Sequence, residues 1–125
     1  MTPSELQQNL RQFTGTEAYH HWSILFRNFV MTDGAKFLAE EAGAYWLMDA
    51  IASHIKAYNT ERFVLAKLHK KSRGWLLRIE DGNDTVLASQ KIDFSDFPLD
   101  EIDLYVIPQQ MEHGDVWVIL LPQEY

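Results

Sequence analysis

The five histidines and eighteen acidic residues are the side chains of this sequence best suited to chemistry. His20 and His21 are adjacent, so on a helix they point about 100° apart and on a strand to opposite faces. Two ring nitrogens on one helical face need the i, i+4 spacing of HExxH, which no pair among His20, His21, His54, His69 and His113 has. No metal site is expected; one histidine of the pair should hydrogen-bond between elements and the other face solvent. Ser53 and His54 are neighbours and diverge in the same way. There is no G-x-S-x-G elbow, P-loop or G-x-G-x-x-G, and the absence of cysteine excludes thiolate chemistry, disulfides and cysteine-ligated zinc. No cofactor is implied.

The carboxylates are more informative. The stretch "TDGAKFLAEEAGAYWLMDAIASHI", residues 32–55, reads as the main helix, with Thr32 and Asp33 as N-cap candidates. At about 100° per residue, Phe37, Ala44, Met48, Ile51, Ala52 and Ile55 share one face, with Leu38 and Tyr45 at its margin. On that wheel Glu40 lies at the edge and Glu41 falls inside the apolar face. A buried carboxylate without a partner costs several kcal/mol, of order 5, so Glu41 should be paired with Tyr19, Trp22 or a histidine, should be protonated, or should reach solvent. The opposite side carries Trp46 among small residues, so the helix should be contacted from two directions. Gly43 should permit close backbone approach or mark a kink.

A second acidic stretch, "IDFSDFPLDEIDLY", carries Asp93, Asp96, Asp100, Glu101 and Asp103 interleaved with Phe94, Phe97 and Leu99. It lacks the order of a calcium loop. As structure, it is a connection with its aromatics turned inward and its acids solvated. As function, it is an acidic, partly aromatic surface that docks a basic partner.

The elements that must position these residues follow from caps and periodicity. Thr2-Pro3-Ser4-Glu5 forms a capping box ahead of Leu6, Leu10 and Phe13, so a helix starts here and ends at Thr14-Gly15. Thr14-x-x-Glu17 precedes Tyr19, Trp22, Phe26 and Phe29, whose spacing favours a second helix, although "ILFRNFVM" also suits a strand. From residue 61 the pattern becomes strands: "RFVLAKLH", "GWLLRIE", "TVLASQKI", "IDLYVI" and "VWVILL", the last a candidate sheet edge. Asp81-Gly82, "KKSR" and the run Gln109 to Asp115 mark hairpins. The expected fold is α+β: a single domain with two or three N-terminal helices over residues 1–58, packed on a four- to five-stranded antiparallel sheet over 61–125.

Composition narrows the partners. A chain of 125 residues with 46% hydrophobic and 23% charged side chains is a folded globule of single-domain size. A formal charge of −7 opposes direct binding of a phosphate backbone, and His69, Lys70, Lys71 and Arg73 form the one dense basic run, read as a solvated turn. The N-terminus lacks the basic and apolar regions of a signal peptide, and no apolar run approaches the roughly 18 residues of a membrane span. The cytoplasm is the expected compartment, with no membrane partner.

The segments "FTGTEAYHHW" (13–22), "TDGAKFLAEEAGAYWLMDAIAS" (32–53), "DFPLDEIDLY" (96–105) and "LPQEY" (121–125) together resemble an uncharacterised bacterial domain-of-unknown-function family. That family turns up on plasmids and phages as well as chromosomes. The resemblance implies a mobile-element setting and carries over no catalytic residues.

The expected function is a non-enzymatic, acidic protein-binding module, in one form an inhibitor of a host defence complex such as an anti-CRISPR protein. The candidate binding residues are Glu41, Trp46, His20, His21, Asp33, Asp96, Asp100 and Glu101. One rival is a hydrolase-like enzyme using Glu41 or Asp33 with His20 or His21 in a cleft between helices and sheet. Another is a homodimer formed through a sheet edge or apolar patch.

Overall fold

The computed structural model describes residues 1–57 and 61–125, so the expected boundary between helical and strand parts lies partly outside the described residues. Helix α1 spans Pro3–Leu10 and starts as its sequence dictates. The Thr2 hydroxyl accepts from the Glu5 amide at 3.1 Å, and the Thr2 amide donates to Glu5 Oε1 at 3.1 Å. The helix ends at Leu10 with Arg11 as its C-cap, short of Thr14-Gly15, and buries Leu6 and Leu10.

The expected second helix does not form. The segment ahead of the main helix contains an isolated antiparallel bridge between His20 and Met31, a short 3-10 turn Ile24–Phe26 and strand β1, Phe29–Met31. All three residues of β1 are buried. The i, i+3, i+4 spacing of Tyr19, Trp22, Phe26 and Phe29 is therefore not a helical stripe. Trp22 stacks on Phe26, and Phe29 lies flat against Trp117 of the sheet.

The main helix is two helices: α2, Asp33–Glu41, and α3, Tyr45–Ile55. Between them Gly43 adopts φ +59°, and the Ala44 amide donates to the Ala39 carbonyl at 2.8 Å. This is the long bond of a Schellman ending, with buried Ala39 and Ala44 in the positions where that motif makes its apolar contact. The break also resets the wheel. Helix α2 buries Ala35, Leu38 and Ala39, whereas α3 buries Leu47, Met48, Ile51, Ala52 and Ile55. Carried past Gly43, the α2 stripe would turn residues 45, 46 and 49 inward, but none of these is buried. Projecting the α3 stripe backwards is what put Glu41 in the core.

Five further strands follow: β2, Val64–Lys70; β3, Trp75–Glu80; β4, Val86–Ile92; β5, Glu101–Met111; and β6, Gly114–Leu120. With β1 they form one six-stranded mixed sheet in the order β1-β6-β5-β2-β3-β4. Each adjacent pair is antiparallel except β1 and β6, which run parallel with Met31 opposite Ile119. The all-antiparallel expectation is corrected accordingly. "VWVILL" is not an edge, because β6 lies between β1 and β5; the edges are β1 and β4.

Alternation along the strands assigns the two faces. Phe29, Met31, Leu104, Val106, Trp117 and Ile119 join the helices in the main core. Val30, Val118 and Leu120 point the other way into a small second cluster with Tyr105, Ile107 and Val116. All three helices thus pack on one face of the sheet.

At Gly43 an added Cβ meets nothing within 4 Å, so replacement strains only the backbone. A non-glycine residue held in the left-handed region costs about 1–2 kcal/mol. Gly43→Ala is expected to lower the urea unfolding free energy by about 1 kcal/mol. An unchanged value would mean that the chain tolerates a continuous helix here.

Candidate functional site

The densest polar cluster surrounds the start of α2. Each free amide of that first turn must find an acceptor, and the N-terminal end of a helix favours negative charge. The Asp33 amide donates to Thr16 Oγ1 at 2.9 Å, the Gly34 amide to Glu124 Oε2 at 3.0 Å, and the Ala35 amide to Thr32 Oγ1 at 3.2 Å. Glu124 also accepts from the Thr32 hydroxyl at 2.6 Å and the Leu121 amide at 2.9 Å. Three segments distant in sequence, around Thr16, Thr32 and Glu124, meet at one helix end.

Glu124 arrives there because β6 runs parallel to β1. The Thr32 amide continues that pairing by donating to the Ile119 carbonyl, and a short 3-10 turn, Pro122–Glu124, reverses the chain beyond it. Sequence reasoning did not single out Glu124. The local signal was Leu121-x-x-Glu124, where the glutamate side chain reaches back to the Leu121 amide. Nothing local shows that the same carboxylate also caps a helix ninety residues away in sequence.

His20 and Asp33, named separately from sequence, meet here. His20 Nε2 lies 2.7 Å from Asp33 Oδ1, with both side chains about a quarter exposed, and the Glu17 amide donates to Asp33 Oδ2 at 2.9 Å. The His20 bond, followed by the Glu17 bond, holds the Asp33 carboxyl below its ordinary value of 3.8. Asp33 therefore serves as a fixed anion tying the 16–20 segment to α2. Glu17, expected to complete a capping box with Thr14, instead spends its amide on Asp33.

His21 points elsewhere. It lines a groove of about 720 Å³ between residues 17–30 and the β5–β6 hairpin, together with Tyr19, Arg27, Val30, Met111 and His113. His20 and Asp33 are not among the lining residues. Beside this groove the 3-10 turn exposes Ile24 and Leu25.

Glu41 corrects a prediction: it is exposed, and it is not the satisfied buried carboxylate that the continuous wheel required. Glu40, also exposed, accepts from the Tyr45 hydroxyl at 3.4 Å and lies 3.8 Å from Lys36 Nζ. Trp46 is half-buried against the main core. Trp22, offered as a partner for Glu41, donates through Nε1 to Asp49 Oδ1 at 2.8 Å.

At the far end of the sheet, the connection from β4 to β5 divides its apolar residues. Phe97 and Leu99 are buried, Phe97 meeting Trp75 edge-on at 5.7 Å between centroids. Phe94 is 84% exposed. Asp93, Asp96 and Asp100 of the same connection are exposed, as are Glu101 and Asp103 at the start of β5, where Glu101 lies within 3.5 Å of His69 Nδ1. The structure therefore brings His20 to Asp33 and leaves Asp96, Asp100 and Glu101 exposed, away from that pair, on the β4–β5 connection and the start of β5. Among the described residues no group of three or more ligating side chains could hold a metal, and no helix is long and apolar enough to cross a membrane.

Two measurements test the helix-end network. A Cβ on Gly34 would lie 2.6 Å from both Glu124 Oε1 and Leu121 Cδ1. Glu124 cannot swing aside without giving up its bonds. Gly34→Ala should therefore destabilise by about 1–3 kcal/mol in urea, although alanine is the better helix former; stabilisation would refute the clamp. For Asp33, a carboxyl lowered by folding stabilises the fold above its free value, and that contribution disappears as pH falls through the folded value. Asp33→Asn should cost about 1 kcal/mol at pH 7, and the gap to the unmodified chain should close as pH falls below 3.8. A gap of the same size at all pH values would remove charge as its source.

Comparison with curated proteins and with solved structures gives no match. A family model does match, over residues 4–125, and on that coverage the chain belongs to the family of unknown function DUF6876.

Proposed function

We propose that this chain is a non-enzymatic protein-binding module that docks its partner on the exposed β4–β5 connection. The observation that carries the reading is Phe94, 84% exposed on a connection that also exposes Asp93, Asp96 and Asp100, while its Phe97 and Leu99 are buried. Burying a phenylalanine is worth about 1.5–3 kcal/mol, so a large aromatic left in water on an ordered connection is an available anchor. The surrounding acids add steering and orientation toward a partner that presents basic groups. An inhibitor of a host defence complex, such as an anti-CRISPR protein, is one form of this reading; small size and acidic charge fit it.

The hydrolase-like alternative draws on the contact between His20 and Asp33. A histidine oriented by an ionised aspartate still needs a nucleophile or a bound water to act upon. Of the network's hydroxyls, Thr16 accepts from the Asp33 amide and donates to the Ala18 carbonyl at 2.7 Å, and Thr32 donates to Glu124. Glu41, the other carboxylate of that proposal, is exposed at the opposite end of α2. The network ties a segment to a helix, and its hydrogen bonds fit that task.

Affinity capture tests the reading. A tagged chain, co-expressed with an untagged copy and recovered from host lysate, should bring down one stoichiometric protein. Phe94→Asp should abolish that capture at an unchanged melting temperature, because the side chain is solvated in the free protein. Capture that survives Phe94→Asp would overturn the proposal.

A further inference from the structure

The acidic surface adjoins a groove of opposite charge. Between the β2–β3 turn and the end of β4 lies a concavity of about 400 Å³ lined by Lys71, Arg73 and Lys91 with the apolar Trp75, Leu76 and Ile92. In a chain with eighteen acids and eleven bases, cations on the surface would be expected to find carboxylates. Among the described residues, none of these three lies within ion-pair distance of one. The turn is held against the strand end: Gly74 has φ +70°, and a Cβ there would collide with the Ile92 carbonyl oxygen and crowd Asp93. Asp93 forms one wall of the groove, and Phe94 is the next residue along the chain.

A knob, a hole and both signs of charge therefore sit side by side. We infer that the partner of this surface is a second copy of the chain, an inference that rests on the docking reading above and names the partner it left open. Phe94 of each copy enters the other's groove. Lys71, Arg73 and Lys91 face Asp93 and Asp96 across the two-fold axis. An isologous interface needs a patch that complements itself, so that contact i to j is repeated as j to i. A uniformly basic foreign partner would satisfy the acids and oppose the three cations, since like charges brought together in an interface are penalised. A second copy satisfies both halves.

Charge exchange tests this on the full chain by sedimentation equilibrium from micromolar to millimolar concentration. All four exchanged side chains, Arg73, Lys91, Asp93 and Asp96, are exposed, so folding should be unaffected. The unmodified chain should be dimeric. Arg73→Glu with Lys91→Glu, and separately Asp93→Lys with Asp96→Lys, should each weaken association at least tenfold. Mixing the two variants should restore the dimer, because the altered groove of one then meets the altered rim of the other, and the unaltered groove meets the unaltered rim. In the capture experiment the stoichiometric band should be the untagged chain. A monomer throughout the range with Phe94-dependent capture of a foreign protein overturns this inference and leaves the docking reading intact. A dimer that Phe94→Asp does not weaken, or a mixture that fails to associate, also overturns it. Absence of any Phe94-dependent association overturns both.

Discussion

The carboxylate of Glu124 at the start of α2 is the contact on which the rest of the arrangement depends. It receives the Gly34 amide, the Thr32 hydroxyl and the Leu121 amide at a helix end where Thr32 is only 2% exposed. Water cannot readily replace it there, and buried donors left unpaired cost about 1–3 kcal/mol each. The clamp closes only if β1 and β6 run parallel in the observed register, because Ile119 must face the Thr32 amide before the chain turns at Pro122. Slipping that register by one residue would also turn Val30 into the helix side and Phe29 and Met31 out of it. Strand pairing, core alternation and helix capping are thus three demands on one alignment.

That alignment explains why the segment before β1 abandons its local helical signals. A capping box at Thr14 and Glu17 would contribute about 1 kcal/mol. Extending the segment instead buries Phe26, Phe29, Val30 and Met31, each worth about 1.5–3 kcal/mol. It also supplies the Thr16 hydroxyl, the Glu17 amide and the His20 ring to the Asp33 side of the helix start. The larger sum decides the local conformation. Periodicity alone could not reveal this, since aromatic spacing of three and four residues also arises when an irregular chain packs against a sheet.

What was legible in the sequence is what local chemistry determines. The α1 capping box is formed by the two residues that announce it, and the five C-terminal runs, rich in β-branched and aromatic side chains, are strands. The α+β class follows from those elements. Glu41 shows where a local rule fails: a wheel assumes an unbroken helix, and the left-handed Gly43 rotates the apolar stripe between its two halves. The glutamate that the fold satisfies is Glu124, whose role depends on tertiary pairing. His20 and Asp33 were visible as types, while their contact depends on an isolated bridge between His20 and Met31 that no motif encodes.

The same division governs the surface. The β4–β5 connection is fastened at several points: Phe97 against Trp75, Leu99 in the core, the Phe97 amide on Ser95 Oγ at 3.1 Å, and the Lys70 amide on the Asp100 carbonyl at 2.8 Å. Association costs free energy for every loop and side chain it must order, on the order of 0.5–1.5 kcal/mol per immobilised side chain. A connection already pinned immediately after Phe94 has met much of that cost during folding. The apolar residues that the sequence could only list as a group therefore have opposite duties. Phe97 and Leu99 give up their surface to rigidify the loop, and the rigidity they create is what makes the exposure of Phe94 useful for binding.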